Sequence, residues 1–189
     1  EMLRSLVGSE MCIRDRAHPN IKESQANKAL VDAVSDMEGV AVFNLYELSQ
    51  EIAFNVDEWS KIISDASAVI YQFPFYWMSA PSLLKKWQDE VFTFLSKTPA
   101  VAGKPLTVVT TTGSEYEAYR SGGRNRFTTD ELLRPYQVSA IHSGMSWQTP
   151  IVVYGMGTAD AGKNIAEGAN LYKQRVEMLI GSSNAGNNW

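Results

Sequence analysis

The run Val-Ile-Tyr-Gln-Phe-Pro-Phe-Tyr-Trp-Met-Ser-Ala-Pro-Ser-Leu-Leu-Lys-Lys-Trp-Gln-Asp-Glu-Val at residues 69–91 constrains this chain more than any other stretch. It reads as a buried strand, a rigid aromatic turn and an amphipathic helix. Residues 69–73 form an apolar run without polar alternation, the pattern of a parallel strand covered on both faces, and Pro74 ends it by withholding a ladder donor. The next loop therefore starts at the C-terminal edge of a strand, where open α/β sheets bind ligands. There Pro74, Phe75, Tyr76, Trp77 and Met78 are expected to offer backbone N–H groups, where they have them, and flat side chains to a planar aromatic ligand. Any single aromatic is as readily core filler, but Phe75, Tyr76, Trp77 and Met78 in succession cannot all point inward.

With 189 residues the chain suffices for one well-buried domain, expected over residues 17–180. A net charge of −4, with no Lys/Arg cluster interleaved with aromatics, argues against nucleic-acid partners. No stretch approaches the ~18 consecutive apolar residues of a membrane span. The single cysteine, Cys12, rules out an internal disulfide and a cysteine-based metal cage, and no metal is expected. A cytoplasmic protein is expected, with any membrane association peripheral, at the inner face of the cell membrane.

Residues 1–16 are atypical. They lack the apolar core and small-residue cleavage site of a signal peptide, and Arg14, Asp15 and Arg16 count against a central strand. The segment resembles translated sequencing-adapter sequence, which raises the expectation that it is foreign and stands in place of a native first strand.

Beyond it, helical periodicity starts at Ser24, expected as the N-cap, and stops at Gly39; residues 40–46 read as the second strand. Asp57 is expected to cap a helix carrying Trp59, Ile62, Ile63 and Ala66. Pro81 sits where a first-turn proline belongs, ahead of a helix over residues 82–95. Residues 106–111 read as the fourth strand, Thr128 or Thr129 opens a helix that Pro135 kinks, and residues 151–154 read as the fifth strand. A last helix is expected over residues 166–180, then a disordered tail at 181–189. Strands alternating with helices imply an α/β doubly wound parallel sheet, and five strands suit the flavodoxin-like order 2-1-3-4-5. In that order the loops after strands one, three and four meet in one crevice.

The first of those loops runs through His18, Ser24, Gln25 and Asn27 into a helix N-terminus, which suits a phosphate although the glycines and lysine of a P-loop are missing. The third ends in Thr111-Thr112-Gly113-Ser114, where glycine permits close approach and adjacent N–H groups can face a developing negative charge. Tyr119 adds a phenol.

Ala17-His18-Pro19 with Ser24 and Asn27, residues 72–77 continuing through residues 81–87, and Thr111-Thr112-Gly113 followed by Tyr119 together resemble the flavodoxin-like NAD(P)H:quinone oxidoreductase family. Asn125-Arg126-Phe127, residues 132–135, Gly144-Met145 and Trp147 extend the likeness to the bacterial branch that includes ancillary proteins of glutathione-regulated potassium efflux systems. The resemblance implies a homodimer that binds FMN, or alternatively FAD. Residues 24–27, with His18 alongside, would hold the flavin phosphate; Pro74 to Met78 would line the ring at its N5/O4 edge; Thr111, Thr112, Gly113, Ser114 and Tyr119 would serve its N1/O2 edge. Tyr119 is the expected catalytic residue. NAD(P)H would be the electron donor and a quinone-like small molecule the acceptor, in a ping-pong sequence.

Three departures bear on this. A histidine that some animal members place six residues after the tyrosine is Asn125 here, the Gly-Gly of the third loop is Gly113-Ser114, and the stretch between Val91 and Gly103 lacks a Gly-rich cover. Two other readings compete with the enzyme: a flavin-binding regulatory subunit of a membrane potassium-efflux system, and a one-electron carrier. The mild acidity and the first loop disfavour the carrier. Trp87, Phe92 and Phe94 suggest more aromatic surface than one core stripe requires, which points to a dimer face on the 82–95 helix.

Overall fold

The computed structural model describes residues 11–16, 25–48 and 53–185. Among the described residues six strands form one sheet: β1 (Met11–Arg16), β2 (Val40–Asn44), β3 (Ala66–Pro74), β4 (Pro105–Thr111), β5 (Ser146–Trp147) and β6 (Ile151–Val153). Their order is β2-β1-β3-β4-β5, with β6 also on β4, and every pairing is parallel. The expected order thus holds, with the fifth position shared by two short strands. Pro105 and Leu106 pair with β5 whereas Val109 to Thr111 pair with β6. Pro150 falls between them and has no ladder donor, so the edge breaks there.

The helices are α1 (Gln25–Ser35), α2 (Leu45–Leu48), α3 (Val56–Asp65), α4 (Ser82–Trp87), α5 (Thr93–Leu95), α6 (Thr129–Leu132), α7 (Arg134–His142) and α8 (Ala161–Ala185), with a π-helical turn at Gln88–Phe92 joining α4 to α5. They cover both faces of the sheet. Val69, Tyr71 and Phe73 of β3 join a core with Trp59, Leu84, Trp87 and Tyr136, while Ala68 and Ile70 join another with Leu30, Val34, Tyr172 and Val176. This two-sided burial is why β3 shows no alternation. On the second face α8 lies directly on β6. A Cβ added at Gly168 would stand 2.4 Å from Val153 Cγ2, so only glycine permits that approach.

Several boundaries differ from expectation. Met11–Arg16 is the central strand, paired to both β2 and β3 despite its charged residues. Backbone donors and acceptors are the same in every non-proline residue, and the open ladders of two flanking strands demand a partner whatever its side chains. β2 stops at Asn44, where residues 45–48 turn helical; Asn44 Oδ1 accepts from the Tyr46 N–H (3.2 Å), a local bond that competes with the ladder. Asn55, not Asp57, caps α3: its Oδ1 accepts from the N–H groups of Asp57 (3.1 Å) and Glu58 (3.2 Å), leaving Asp57 in the first turn. Thr128 caps α6 in a capping box with Glu131, and Pro135 starts α7 rather than kinking a continuous helix. The last helix begins earlier than expected and continues through residues 181–185 of the expected tail.

Trp87 is fully buried and Phe92 nearly so. Both rings serve the core, Trp87 making edge contacts with Trp59 and Tyr71. The dimer face expected from three aromatics therefore retains Phe94 alone, which is 59% exposed.

Candidate functional site

A cleft of about 390 Å3 opens at the C-terminal edge of the sheet. Its walls are Gln25, Ala26 and Asn27 at the start of α1, Pro74, Phe75 and Tyr76 after β3, and Thr111, Thr112 and Gly113 after β4. The three loops singled out in the sequence thus meet in space. A fourth contribution was not foreseen: Met156, Ala161 and Ile165, from the loop after β6 and the start of α8, close the remaining side. Two of the expected phosphate ligands, His18 and Ser24, lie outside the described residues.

Asn27 and Gln72 tie the first loop to the sheet. Asn27 Nδ2 donates to Thr111 Oγ1 (3.1 Å), and Gln72 Nε2 donates to the Asn27 carbonyl (3.1 Å), all three residues being buried. The first turn of α1 carries no acidic side chain to offset the positive end of the helix.

The aromatic turn is a two-residue hairpin. The Tyr76 N–H donates to the Ser79 carbonyl (2.8 Å) and the Ser79 N–H to the Tyr76 carbonyl (2.9 Å), with Trp77 at φ 45° and Met78 at φ 62°. Positive φ at both central residues is the type I′ geometry that normally calls for Asn-Gly. Its base is anchored by Tyr136, whose hydroxyl accepts from the Ala80 N–H (3.0 Å). Of the expected N–H donors, that of Phe75 is already given to the Thr111 carbonyl (2.9 Å) and that of Tyr76 to Ser79. Those of Trp77 and Met78 have no partner among the described residues. The side chains divide in the same way: Phe75 packs edge-on against Tyr119 (6.2 Å between centroids), whereas Trp77 is 96% exposed.

The loop after β4 works differently. Loop 155–157 holds three consecutive carbonyls: the Met156 N–H donates to Thr112 O (2.9 Å), the Gly157 N–H to Gly113 O (2.9 Å) and the Gly155 N–H to Ser114 O (2.8 Å). Thr112 Oγ1 adds a second bond to Ser114 O (2.8 Å). In a trans peptide the carbonyl and the following N–H point in opposite directions. Pinning the Thr112 and Gly113 carbonyls to loop 155–157 therefore turns the N–H groups of Gly113 and Ser114 away from it. Neither has a partner among the described residues, and a Cβ built on Gly113 would meet nothing within 4 Å. Two adjacent donors thus point away from loop 155–157 at the strand end, with Gly113 on the cleft wall, an arrangement suited to a carbonyl oxygen or ring nitrogen that becomes anionic. The clamp depends on Gly157, where a Cβ would sit 3.1 Å from Gly113 O.

Tyr119 is buried between Phe75 and Tyr154, the latter 5.9 Å away between centroids. It lies behind the cleft wall and faces a second hollow of about 600 Å3 beside β6, bounded also by Tyr116, Tyr154, Arg120 and Arg175. Burial pushes the Tyr154 phenol up from its ordinary range, opposed by its 2.7 Å hydrogen bond with Thr129 Oγ1. This larger hollow lies along the edge strand, away from the strand ends where the donors converge. Sequence reasoning also missed Arg124, whose Nη2 donates to Ser114 Oγ (2.6 Å). Only three-dimensional proximity reveals it, because the two residues are ten positions apart.

A family model for the flavodoxin-like fold matches residues 16–176. The chain belongs to this flavodoxin-like family. Among curated flavodoxin-like relatives it is 35% identical over 165 residues to general stress protein 14 of Bacillus subtilis strain 168, covering 85% of this chain and 94% of that protein. It is 36% identical over 166 residues to an uncharacterized NAD(P)H oxidoreductase of the same organism, covering 86% and 84%. With the glutathione-regulated potassium-efflux system ancillary protein KefG of Serratia proteamaculans it shares 35% identity over 142 residues, covering 73% and 78%. Among solved structures, general stress protein 14 from Treponema denticola in complex with FMN superposes with a TM-score of 0.81 at 28% identity, covering 90% of this chain and 99% of that one. An NADPH-quinone reductase from P. pentosaceus gives 0.74 at 26%, covering 89% and 98%.

Proposed function

We propose that this chain is a flavin-dependent oxidoreductase that takes a hydride from NAD(P)H and passes it to a quinone or similar acceptor, donor and acceptor using the same cleft in turn. The observation that carries this reading is the clamped pair of N–H groups at Gly113 and Ser114, without partners among the described residues and turned away from loop 155–157 where the strands end. The residues fit a flavin: apolar walls at Phe75, Met156 and Ile165, donors without partners among the described residues at Trp77 and Met78 on one loop and at Gly113 and Ser114 on another, and a first turn of α1 without acidic residues. The FMN complex of the Treponema relative and the NADPH-quinone reductase fold neighbour support it.

When bound, a flavin supplies the two-electron acceptor and donor chemistry that no side chain of this cleft possesses. The protein's own part is binding and electrostatics. Gln25 and Asn27 flank the helix end that favours a phosphate. Trp77 and Met78 present N–H groups at one rim, while Gly113 and Ser114 stabilise negative charge at the other without reorganising. FMN is the proposed cofactor, because residues 155–165, rich in glycine and alanine, offer no arginine or large apolar cluster to hold an adenine.

The test is spectroscopic. Purified protein titrated with FMN should bind about one equivalent, and NAD(P)H should bleach it and a quinone restore it in separate half-reactions. A folded protein that binds neither FMN nor FAD overturns the proposal. The KefG likeness favours a second reading, a regulatory subunit of a membrane potassium-efflux system. Flavin binding without acceptor turnover, together with capture of the efflux protein, would select it. Among the described residues no helix is long and apolar enough to cross a membrane, so the partner would supply the span. A homodimer is also proposed, and Phe94→Asp should shift sedimentation toward monomer if its exposed ring lies in that interface.

A further inference from the structure

Arg124 is not absorbed by the reading above. Its Nη2 donates to Ser114 Oγ at 2.6 Å, fixing the side chain of one of the two residues whose N–H groups turn away from loop 155–157. Lys28, Lys85, Lys86, Arg120 and Lys163 each pair with a carboxylate three or four residues away, and Arg134 and Arg175 donate to Gln137 Oε1 and the Thr149 carbonyl. Arg124 is in none of the ion pairs among the described residues. Its neighbour Asn125 is neutral, with Nδ2 buried and unpartnered among the described residues.

A hydride moved from NAD(P)H carries two electrons and one proton, leaving NAD(P)+ and one negative charge on the accepting ring. Backbone N–H groups stabilise that charge as dipoles, whereas a fixed guanidinium adds a full positive charge and does not deprotonate. We propose that Arg124 is a positioning residue for hydride transfer: held on Ser114 Oγ, it supplies beside the Gly113–Ser114 donor pair the cationic charge that Asn125 does not. The proposal rests on the flavin reading. Because Arg124 is exposed, water and salt screen it, so its effect is moderate and falls as ionic strength rises.

The experiment is redox titration of FMN-loaded protein, comparing the parent with Arg124→Met, Arg124→Lys and Ser114→Ala, alongside binding of oxidised FMN. Arg124→Met should lower the ratio of reduced to oxidised FMN affinity by about tenfold, equivalent to a potential about 30 mV more negative for this two-electron couple. Oxidised FMN should bind within about twofold of the parent, since the ring is then uncharged. Arg124→Lys should recover most of the shift, Ser114→Ala should give an intermediate value because the charge remains but loses its anchor, and 1 M salt should shrink the difference between parent and Arg124→Met. Potentials that do not move in Arg124→Met, or that move equally in Met and Lys variants, overturn the assignment while leaving flavin binding intact. A parent that binds no flavin overturns both proposals.

Discussion

Two loops at the cleft mouth each leave a pair of N–H groups without partners among the described residues, and they do so by opposite means. The hairpin at Tyr76–Ser79 frees Trp77 and Met78 by forcing both into positive φ, a conformation that costs non-glycine residues roughly 1–2 kcal/mol each. The loop at Thr112–Ser114 frees Gly113 and Ser114 by having their neighbouring carbonyls held, bond by bond, by loop 155–157. One pair of donors is kept out by strain and the other by bracing. Strain can be relieved locally at a gain in stability, whereas bracing cannot be disturbed without loss.

The sharpest way to break the contrast is Gly157→Val. A Cβ at this position would be tight against Gly113 O, and the methyls of valine should push the two loops apart. Flavin affinity should fall by about 100-fold, near 2.7 kcal/mol, by FMN titration. Unchanged affinity would mean that the Gly113 and Ser114 donors do not need the clamp. The opposite outcome is expected at the hairpin. Trp77→Asn combined with Met78→Gly installs the residues that type I′ turns prefer and should raise stability by about 1–2 kcal/mol, read as a higher Tm, while slowing turnover with quinone. A variant that gained no stability would show the turn to be unstrained.

Tyr119 lies between the two regions, packed on Phe75 on one side and Tyr154 on the other. Tyr119→Phe keeps that packing and, because the ring stands behind the cleft wall rather than in it, should slow stopped-flow flavin reduction by NAD(P)H by about tenfold at most, the low end for loss of one donor. A wild-type rate would make Tyr119 a packing residue and leave the chemistry to the braced donors. The smallest effect belongs to Thr112→Val, which deletes one of two bonds to Ser114 O while the Gly155 N–H retains the other. A loss of about 1 kcal/mol in denaturant stability is expected, with only a few-fold weaker FMN binding.

What could be read from the sequence follows the same division. Residues 69–73 announced a buried parallel strand through side-chain pattern, and the hairpin announced itself through an improbable run of aromatics. Both signals are local. The clamp was invisible, because backbone N–H groups of Met156 and Gly157 meeting carbonyls more than forty positions earlier leave no mark in composition. Met156, Ala161 and Ile165 were missed for that reason, and Arg124 because an arginine on a polar loop has no pattern. Met11–Arg16 shows the converse error, since side-chain character argued against a strand whose place was decided by the backbone ladders on either side. Asn55 was overlooked as a cap in favour of the more conspicuous Asp57, although asparagine caps as well as aspartate does.

The π-helical turn at Gln88–Phe92 also bears on how the chain tolerates insertion and deletion. A π turn accommodates one residue more than the α-helix around it, and this one lets the consecutive residues Val91 and Phe92 both be buried while Trp87 and Leu95 keep to the same face. On the outer side Lys85 pairs with Asp89 and Lys86 with Glu90. Homologous chains one residue shorter at this point would therefore close into a regular helix with Leu95 still facing inward. Gaps in an alignment should gather here, in the middle of a helix, rather than in the loops where they are usually placed.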